Sequence, residues 1–329
     1  MSTHEGMHPV GDAPHWSESY YFNFYDPETQ VGMFTRMGWR PGSGWADALH
    51  VLYLPGSRVL FTYGRREIDG DLRQYDGDLT VGNLSLKCVT PHERWLIDYV
   101  GEAQDIPNGE ILLQRSKQRP DNWFTPAHLD MSLAFECLSS PHFLMTDVAG
   151  HFEQSGKVSG TVKLGDEQWA VEGLGVRDKS WGPRDWSMGQ STGGASKDGA
   201  GAAAHPHVHW FSMNFGPELA LGGSALRQED GSWKTVGSWL LRQDKKIELR
   251  DIQVETCYKP DSILQESVVI TAKTEEGEDI RVTGEMVNMC PTKVPAPGGA
   301  IFINEGLARY QWGDKTGYGI SEQWHAVSL

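Results

Sequence analysis

Apolar and polar residues alternate along most of this chain with a period of two, the period a β-strand imposes by sending successive side chains to opposite faces. Leu129, Met131, Leu133, Phe135 and Cys137 alternate with Asp130, Ser132, Ala134 and Glu136, which predicts a strand with one buried and one wet face. Val59, Phe61 and Tyr63 alternate in the same way with Leu60, Thr62 and Gly64. Turn residues punctuate the pattern: Gly165-Asp166, Glu229-Asp230-Gly231, Glu276-Gly277 and Gly313-Asp314-Lys315 each stand between β-prone runs and predict hairpins. Helical periodicity is weak throughout. A succession of hairpins predicts an all-β protein of antiparallel sandwiches or barrels, and 329 residues suffice for two such domains.

Two stretches depart from the alternation. Residues 189–204 are rich in Gly, Ala and Ser and predict a mobile loop, because they carry too little apolar surface to hold themselves in place. Pro291 to Gly299 contains three prolines and predicts a second, shorter loop at a rim.

Composition narrows the function more than the fold. A hydrophobic share of 39% and a charged share of 22% describe an ordinary globular chain. Its 29 basic against 44 acidic side chains, a net charge of -15, argue against a nucleic-acid surface, which needs clustered cations to neutralise phosphates. No apolar run has the length of a membrane span, and Met1 to Met7 lack the basic and apolar regions of a secretory signal, so a cytoplasmic protein is expected. Cys88, Cys137, Cys257 and Cys290 are widely separated, match no zinc pattern, and read as reduced core residues. Gly173-Leu174-Gly175 lacks the third glycine of a dinucleotide fingerprint, and no Walker lysine, Gly-x-Ser-x-Gly elbow or His-Glu-x-x-His pattern occurs. An enzyme built on this chain is expected to need no organic cofactor.

Three segments carry candidate chemistry. The first, Arg177-Asp178-Lys179-Ser180-Trp181-Gly182-Pro183-Arg184-Asp185-Trp186, holds two Arg-Asp dipeptides and two tryptophans. Gly182-Pro183 bars a helix, so a fixed irregular connection is expected. Asp178 and Asp185 are candidate acids or bases, with Arg177 and Arg184 as ion-pair partners that hold them; alternatively the segment is wholly structural. Trp181 and Trp186 offer faces that stabilise positive charge.

The second segment is a strand in which His207, His209, Phe211, Met213 and Phe215 share a face. With His205 the spacing is His-x-His-x-His, which allows a metal site, but Pro206 interrupts it and no acidic motif follows. His209 reads either as a proton-transfer group or as a hydrogen-bonded core histidine. In the third segment Tyr318, Ile320, Glu322 and Trp324 share a face, so Glu322 sits among aromatics. Desolvation there raises a carboxyl pKa and suits a general acid, unless an arginine pairs with it.

From Gly173 to Gly182 the chain resembles the segment shared by the AttH, carotenoid 1,2-hydratase and kievitone hydratase group, in which a glycine pair leads into Asp-His-x-Trp-Gly. Asp178, Trp181 and Gly182 fit, while Lys179 stands where those proteins commonly carry histidine. The longer form through Pro183-Arg184-Asp185-Trp186 is similar to a less characterised branch. Further landmarks are Glu18 to Asn23, His151 to Gly156 and Gly317 to Glu322. The resemblance implies two consecutive lipocalin-like β-barrel or sandwich domains, taken as residues 1–172 and 173–329, with the Arg-Asp-Trp segment entering the second. It further implies cofactor-free lyase, hydratase or isomerase chemistry on a hydrophobic terpenoid, steroid or lignin-type aromatic. Asp178, Asp185, His209 and Glu322 would transfer protons there, while Trp181, Trp186, Trp210, Tyr318 and Trp324 line the pocket. The competing readings are a non-catalytic carrier of a hydrophobic ligand and a histidine-dependent metalloenzyme.

Overall fold

A computed structural model describes residues 4–11, 15–183, 206–296 and 299–328. It divides into two compact units, one of Met1–Pro107 with Phe124–Arg184, the other of Asn108–Trp123 with Asp185–Leu329.

The first unit is built from strands β1 (Trp16–Asp26), β2 (Val31–Arg40), β3 (Trp45–Tyr53), β4 (Val59–Glu67), β5 (Leu79–Val81), β6 (Leu84–Thr90), β7 (Arg94–Ile106), β8 (Thr125–Cys137), β9 (His142–Met145), β10 (Gly150–Leu164) and β11 (Glu167–Pro183). They form one antiparallel sheet in the order β4-β3-β2-β1-β11-β10-β8-β7-β6-β5, with β9 added beside β10. A short ladder from β4 to β7, Val59↔Ile106 to Phe61↔Gln104, brings the sheet round on itself. The alternation read in β8 holds: Leu129, Met131, Leu133 and Phe135 are buried against Phe22, Trp95 and Phe152 in one core. In β4 the inward face is that of Leu60 and Thr62, while Tyr63 is exposed.

The second unit is a closed eight-stranded barrel of β12 (Val208–Gly216), β13 (Leu219–Arg227), β14 (Trp233–Arg242), β15 (Lys245–Tyr258), β16 (Gln265–Thr274), β17 (Asp279–Ala296), β18 (Gly299–Trp312) and β19 (Lys315–Ser328), each paired with the next. Its apolar core gathers Phe211, Met213, Leu240, Ile270 and Tyr310. The segment 108–123, which leaves the first unit between β7 and β8, belongs to this second unit, where Glu110 pairs with Lys259. All four hairpins expected from turn residues are present, and Gly165, Gly231, Gly277 and Gly313 take the positive φ that the turns require.

Several expectations are corrected. The division after residue 172 falls inside β11, whose ladders to β1 and β10 run on to Pro183 and Trp181, so Arg177 to Pro183 close the first unit instead of entering the second. Arg177 to Pro183 is accordingly strand, not an irregular connection. Gly-Pro excludes a helix, but a strand end tolerates it, and a side chain at Gly182 would collide with Ala149. The proline-rich stretch from Pro291 continues β17, with Pro291 opposite Asn304 and Pro295 opposite Ala300, leaving only 297–298 outside the description. Of the cysteines, Cys290 is buried, but Cys88 and Cys137 are half-buried and Cys257 is exposed. The expected loop 189–204 lies outside the described residues. No helix among the described residues is long and apolar enough to cross a membrane.

Candidate functional site

Strand alternation decides where the decapeptide sends its side chains. Arg177, Lys179 and Trp181 point to the interior of the first unit, opposite Phe22, Tyr20 and Glu18 of β1, while Asp178 and Ser180 point to the other face, opposite Tyr21 and Ser19. Neighbours in sequence therefore cannot pair. Arg177 is bound instead by Glu5, with its Nη2 donating to the carboxylate at 2.7 Å, and Asp178 has His151 Nδ1 at 3.9 Å. Trp181 lies flat over Gly150, where any side chain would strike the indole.

The interior cluster is dense in charge and buried. Lys179 and Glu18 are each fully buried and bonded to one another. The Lys179 ammonium stands 4.2 Å from the centre of the Tyr20 ring and 5.7 Å from that of Trp181. Glu18 also accepts the His8 backbone N–H at 3.0 Å, and its carboxylate lies 2.8 Å from His8 Nδ1. Burial pushes the Glu18 carboxyl upward, but Lys179 and His8 outweigh it and hold the group below the usual carboxylate range. For Lys179 the balance falls the other way: desolvation draws its pKa down despite the attraction of Glu18. His8 and His4 both lie parallel on Trp181, at 4.0 and 5.0 Å, and His4 Nδ1 lies 3.0 Å from His8 Nε2, so hydrogen-bonded imidazoles lead to the buried carboxylate.

Beside this pair lies Glu5. Its carboxylate accepts the His92 backbone N–H at 2.7 Å as well as Arg177, and its carbonyl accepts the Tyr20 hydroxyl at 3.0 Å. The Arg177 guanidinium sits 5.0 Å from the Phe152 ring, 5.2 Å from Trp95 and 6.0 Å from Phe22. Its Nε and Nη1 are buried with no hydrogen-bond partner among the described residues. Elsewhere in this unit His50 is fully buried on Tyr99, and desolvation draws its pKa down to about 3.

The second barrel carries a different interior cluster. His209 and Phe211 face inward across from Gln323 and Ser321. Gln323 Nε2 donates to His209 Nδ1 at 3.0 Å and to Thr256 Oγ1 at 2.8 Å, while Gln323 Oε1 accepts from the Tyr258 hydroxyl at 2.9 Å. The His209 proton then sits on Nε2, toward the Ser321 hydroxyl at 3.3 Å. Burial, reinforced by His325, draws the His209 pKa down to about 3. Glu322 stands on the opposite face of the barrel wall, across from Trp210, and accepts from Trp324 Nε1.

The predicted residues are therefore dispersed. Trp181 and Arg177 share the first unit's interior, and Asp178 lies behind them on the other face. His209 faces into the second barrel, whereas Trp210, Tyr318, Glu322 and Trp324 are on its outer face, so His209 and Glu322 cannot serve one reacting atom. Arg184, Asp185, Trp186 and His205 lie outside the described residues. Among the described residues no three His, Cys, Asp or Glu side chains gather as metal ligands. Sequence reasoning did not single out Glu5, His8 and Gln323 at all. Glu18 and Tyr20 were legible only as parts of a landmark, although their spacing in a strand puts both on the Lys179 face.

In overall fold the chain is similar to the crystal structure of CghA with Sch210972, at 10% identity and a TM-score of 0.56, over 98% of this chain and 94% of that one. A protein from Nitrosomonas europaea assigned as an AttH matches at 11% identity and a TM-score of 0.55, over 96% and 94%. Kievitone hydratase from Nectria haematococca matches at 9% identity and a TM-score of 0.48, over 98% and 94%. The architecture is thus that of the AttH-like proteins. No curated protein matches the chain in sequence. Residues 1–327 match the family model described as a domain of unknown function, DUF7064, and the chain belongs to that family.

Proposed function

We propose that this chain is a cofactor-independent lyase, hydratase or isomerase that acts by acid–base chemistry on a hydrophobic small molecule of the terpenoid, steroid or lignin-type aromatic kind. The observation that carries the reading is the Glu18–Lys179 pair, fully buried among the rings of Tyr20 and Trp181. A lysine whose ammonium is made less stable by desolvation is a better proton donor, and an adjacent carboxylate can take the proton back. In this scheme Lys179 protonates an alkene or a departing hydroxyl, Glu18 accepts the proton removed from the neighbouring carbon or from water, and the aromatic faces stabilise the cationic intermediate. The scheme moves proton transfer away from His209, both of whose ring nitrogens are engaged inside the second barrel, and from Asp178 and Glu322 on outer faces. The fold likeness to CghA, whose crystal structure contains Sch210972, is consistent with a small-molecule ligand by analogy of fold alone.

The test is to incubate the purified protein, without added cofactor, with a panel of terpenoids, steroids and biaryl phenols, following gain or loss of one water, or isomerisation, by chromatography and mass spectrometry. Turnover that disappears in Glu18→Gln while the folded protein still binds the compound supports the reading. Undiminished turnover in that variant rules out the assignment. A second reading, a non-catalytic carrier, is favoured by the contacts that Asp178 makes with His151 and Glu322 with Trp324, since a carrier needs no available acid. Tight binding without turnover of any panel member would select it.

A further inference from the structure

We infer that the interior of the first unit is a binding site for an aromatic or polyunsaturated carboxylic acid, and that residues 4–8 occupy it as a resident stand-in, with the Glu5 carboxylate where the ligand's carboxylate goes. The inference rests on the reading above that this charged interior is the ligand site, and it names the class of ligand.

Four observations converge. Glu5 is held by the donors an anion site is made of, a guanidinium and a backbone N–H, rather than by a single surface partner. The guanidinium is enclosed by Phe22, Trp95 and Phe152, so whatever binds its carboxylate edge continues into flat apolar walls. Arg177 is 1% exposed, yet its Nε and Nη1 have no hydrogen-bond partner among the described residues, so Glu5, tethered to its backbone, engages only part of the fork. A free carboxylate is not so tethered and can take the bidentate geometry that guanidinium favours.

The fourth observation concerns what must move. Residues 4–8 belong to no strand or helix and are held by Glu5 on Arg177 and His92, the Tyr20 hydroxyl on the Glu5 carbonyl, the Met7 N–H on Asp76 with the Met7 side chain in the core, His8 on Glu18 through its backbone N–H and its ring, and the rings of His4 and His8 on Trp181. Lifting them out breaks no sheet ladder. The rings around the guanidinium, Phe22, Trp95 and Phe152, lie on β1, β7 and β10 and cannot leave without breaking sheet ladders.

Biphenyl-4-carboxylate and its methyl ester serve as probes, titrated calorimetrically into the unaltered protein and into Glu5→Gln. The glutamine keeps a carbonyl acceptor for Arg177 and His92 but no longer competes as an anion. The acid is expected to bind Glu5→Gln on the order of ten-fold more tightly than the unaltered protein, and more tightly than the ester binds the same variant. Adding Arg177→Lys to Glu5→Gln should remove the advantage of the acid over the ester. If the variants do not fold, hydrogen exchange of the unaltered protein decides the matter: saturating acid should speed exchange at residues 4–8 while β1 and β11 stay protected. Equal binding of acid and ester to Glu5→Gln, no binding of the acid, or unchanged exchange at residues 4–8 would each overturn the inference. None of these readouts is turnover, so their failure leaves the acid–base assignment of Lys179 and Glu18 standing, and a loss of that assignment leaves them interpretable.

Discussion

The interiors of the two units use polar groups in opposite ways. In the first, Glu5, Glu18, Arg177 and Lys179 are ionisable side chains buried together, bonded across strands and to the segment of residues 4–8. In the second, His209, Gln323, Tyr258, Thr256 and Ser321 form a hydrogen-bonded network in which His209 is kept neutral by burial and by the neighbouring His325. Buried ion pairs cost several kcal/mol in desolvation and are weak evidence of stabilisation, whereas a satisfied neutral network rigidifies a core at little cost. Similar β-scaffolding thus carries an interior that stability does not require and one that stability explains. The proposed function rests on the first.

The largest expected effect breaks the charged interior. Lys179→Met leaves Glu18 buried without its main counter-charge and should lower unfolding free energy by about 3–5 kcal/mol in urea denaturation, while the double variant Glu18→Gln/Lys179→Met recovers most of the loss. A double variant as unstable as the single one would mean that the two groups are not coupled. Next comes acid. His50 and His209, one in each unit, have folded pKa values of about 3, below the unfolded value, so the unfolded chain binds the extra protons. Their contribution is fully present above the unfolded pKa, near 6.5, and is lost progressively as pH falls toward 3, at up to about 1.4 kcal/mol per pH unit for each. Denaturation midpoints measured from pH 7 to pH 5 should show the decline, and His50→Leu should flatten it, since neither ring nitrogen has a hydrogen-bond partner among the described residues.

Smaller effects sharpen the neutral side of the comparison. Gln323→Leu strands the Nδ1 of His209 and the Tyr258 hydroxyl and should cost about 1–3 kcal/mol in urea denaturation. Smallest is Glu322→Gln. The side chain is half-buried on the outer face, and an amide oxygen can still accept from Trp324, so the loss should stay below about 1 kcal/mol in thermal or urea unfolding.

Much of the fold was legible because it depends on local rules. The alternation in β8, the four glycine-marked hairpins and the strand from His209 to Phe215 follow from side-chain period and turn chemistry, which need no knowledge of the rest of the molecule. Where local rules misled, a tertiary constraint had intervened. Gly182-Pro183 reads as a break but ends a strand held on both sides, and Pro291 reads as a loop but extends β17. The candidate site was legible in part. Lys179 was singled out as an anomaly in a resembling motif and Trp181 as a pocket wall, and both face the charged interior.

What the sequence alone determined is the β-class, the turn positions and which residues of each strand share a face, because a period of two is written residue by residue. Which face is the interior, and which partner each charge finds, was decided only by the tertiary structure. Arg177 and Asp178 are adjacent in the chain and face apart, while Glu5 reaches Arg177 and Glu18 reaches Lys179 across distances in sequence that no local pattern records. Buried charges must pair, so burial compels a partner. The folded chain chooses which one.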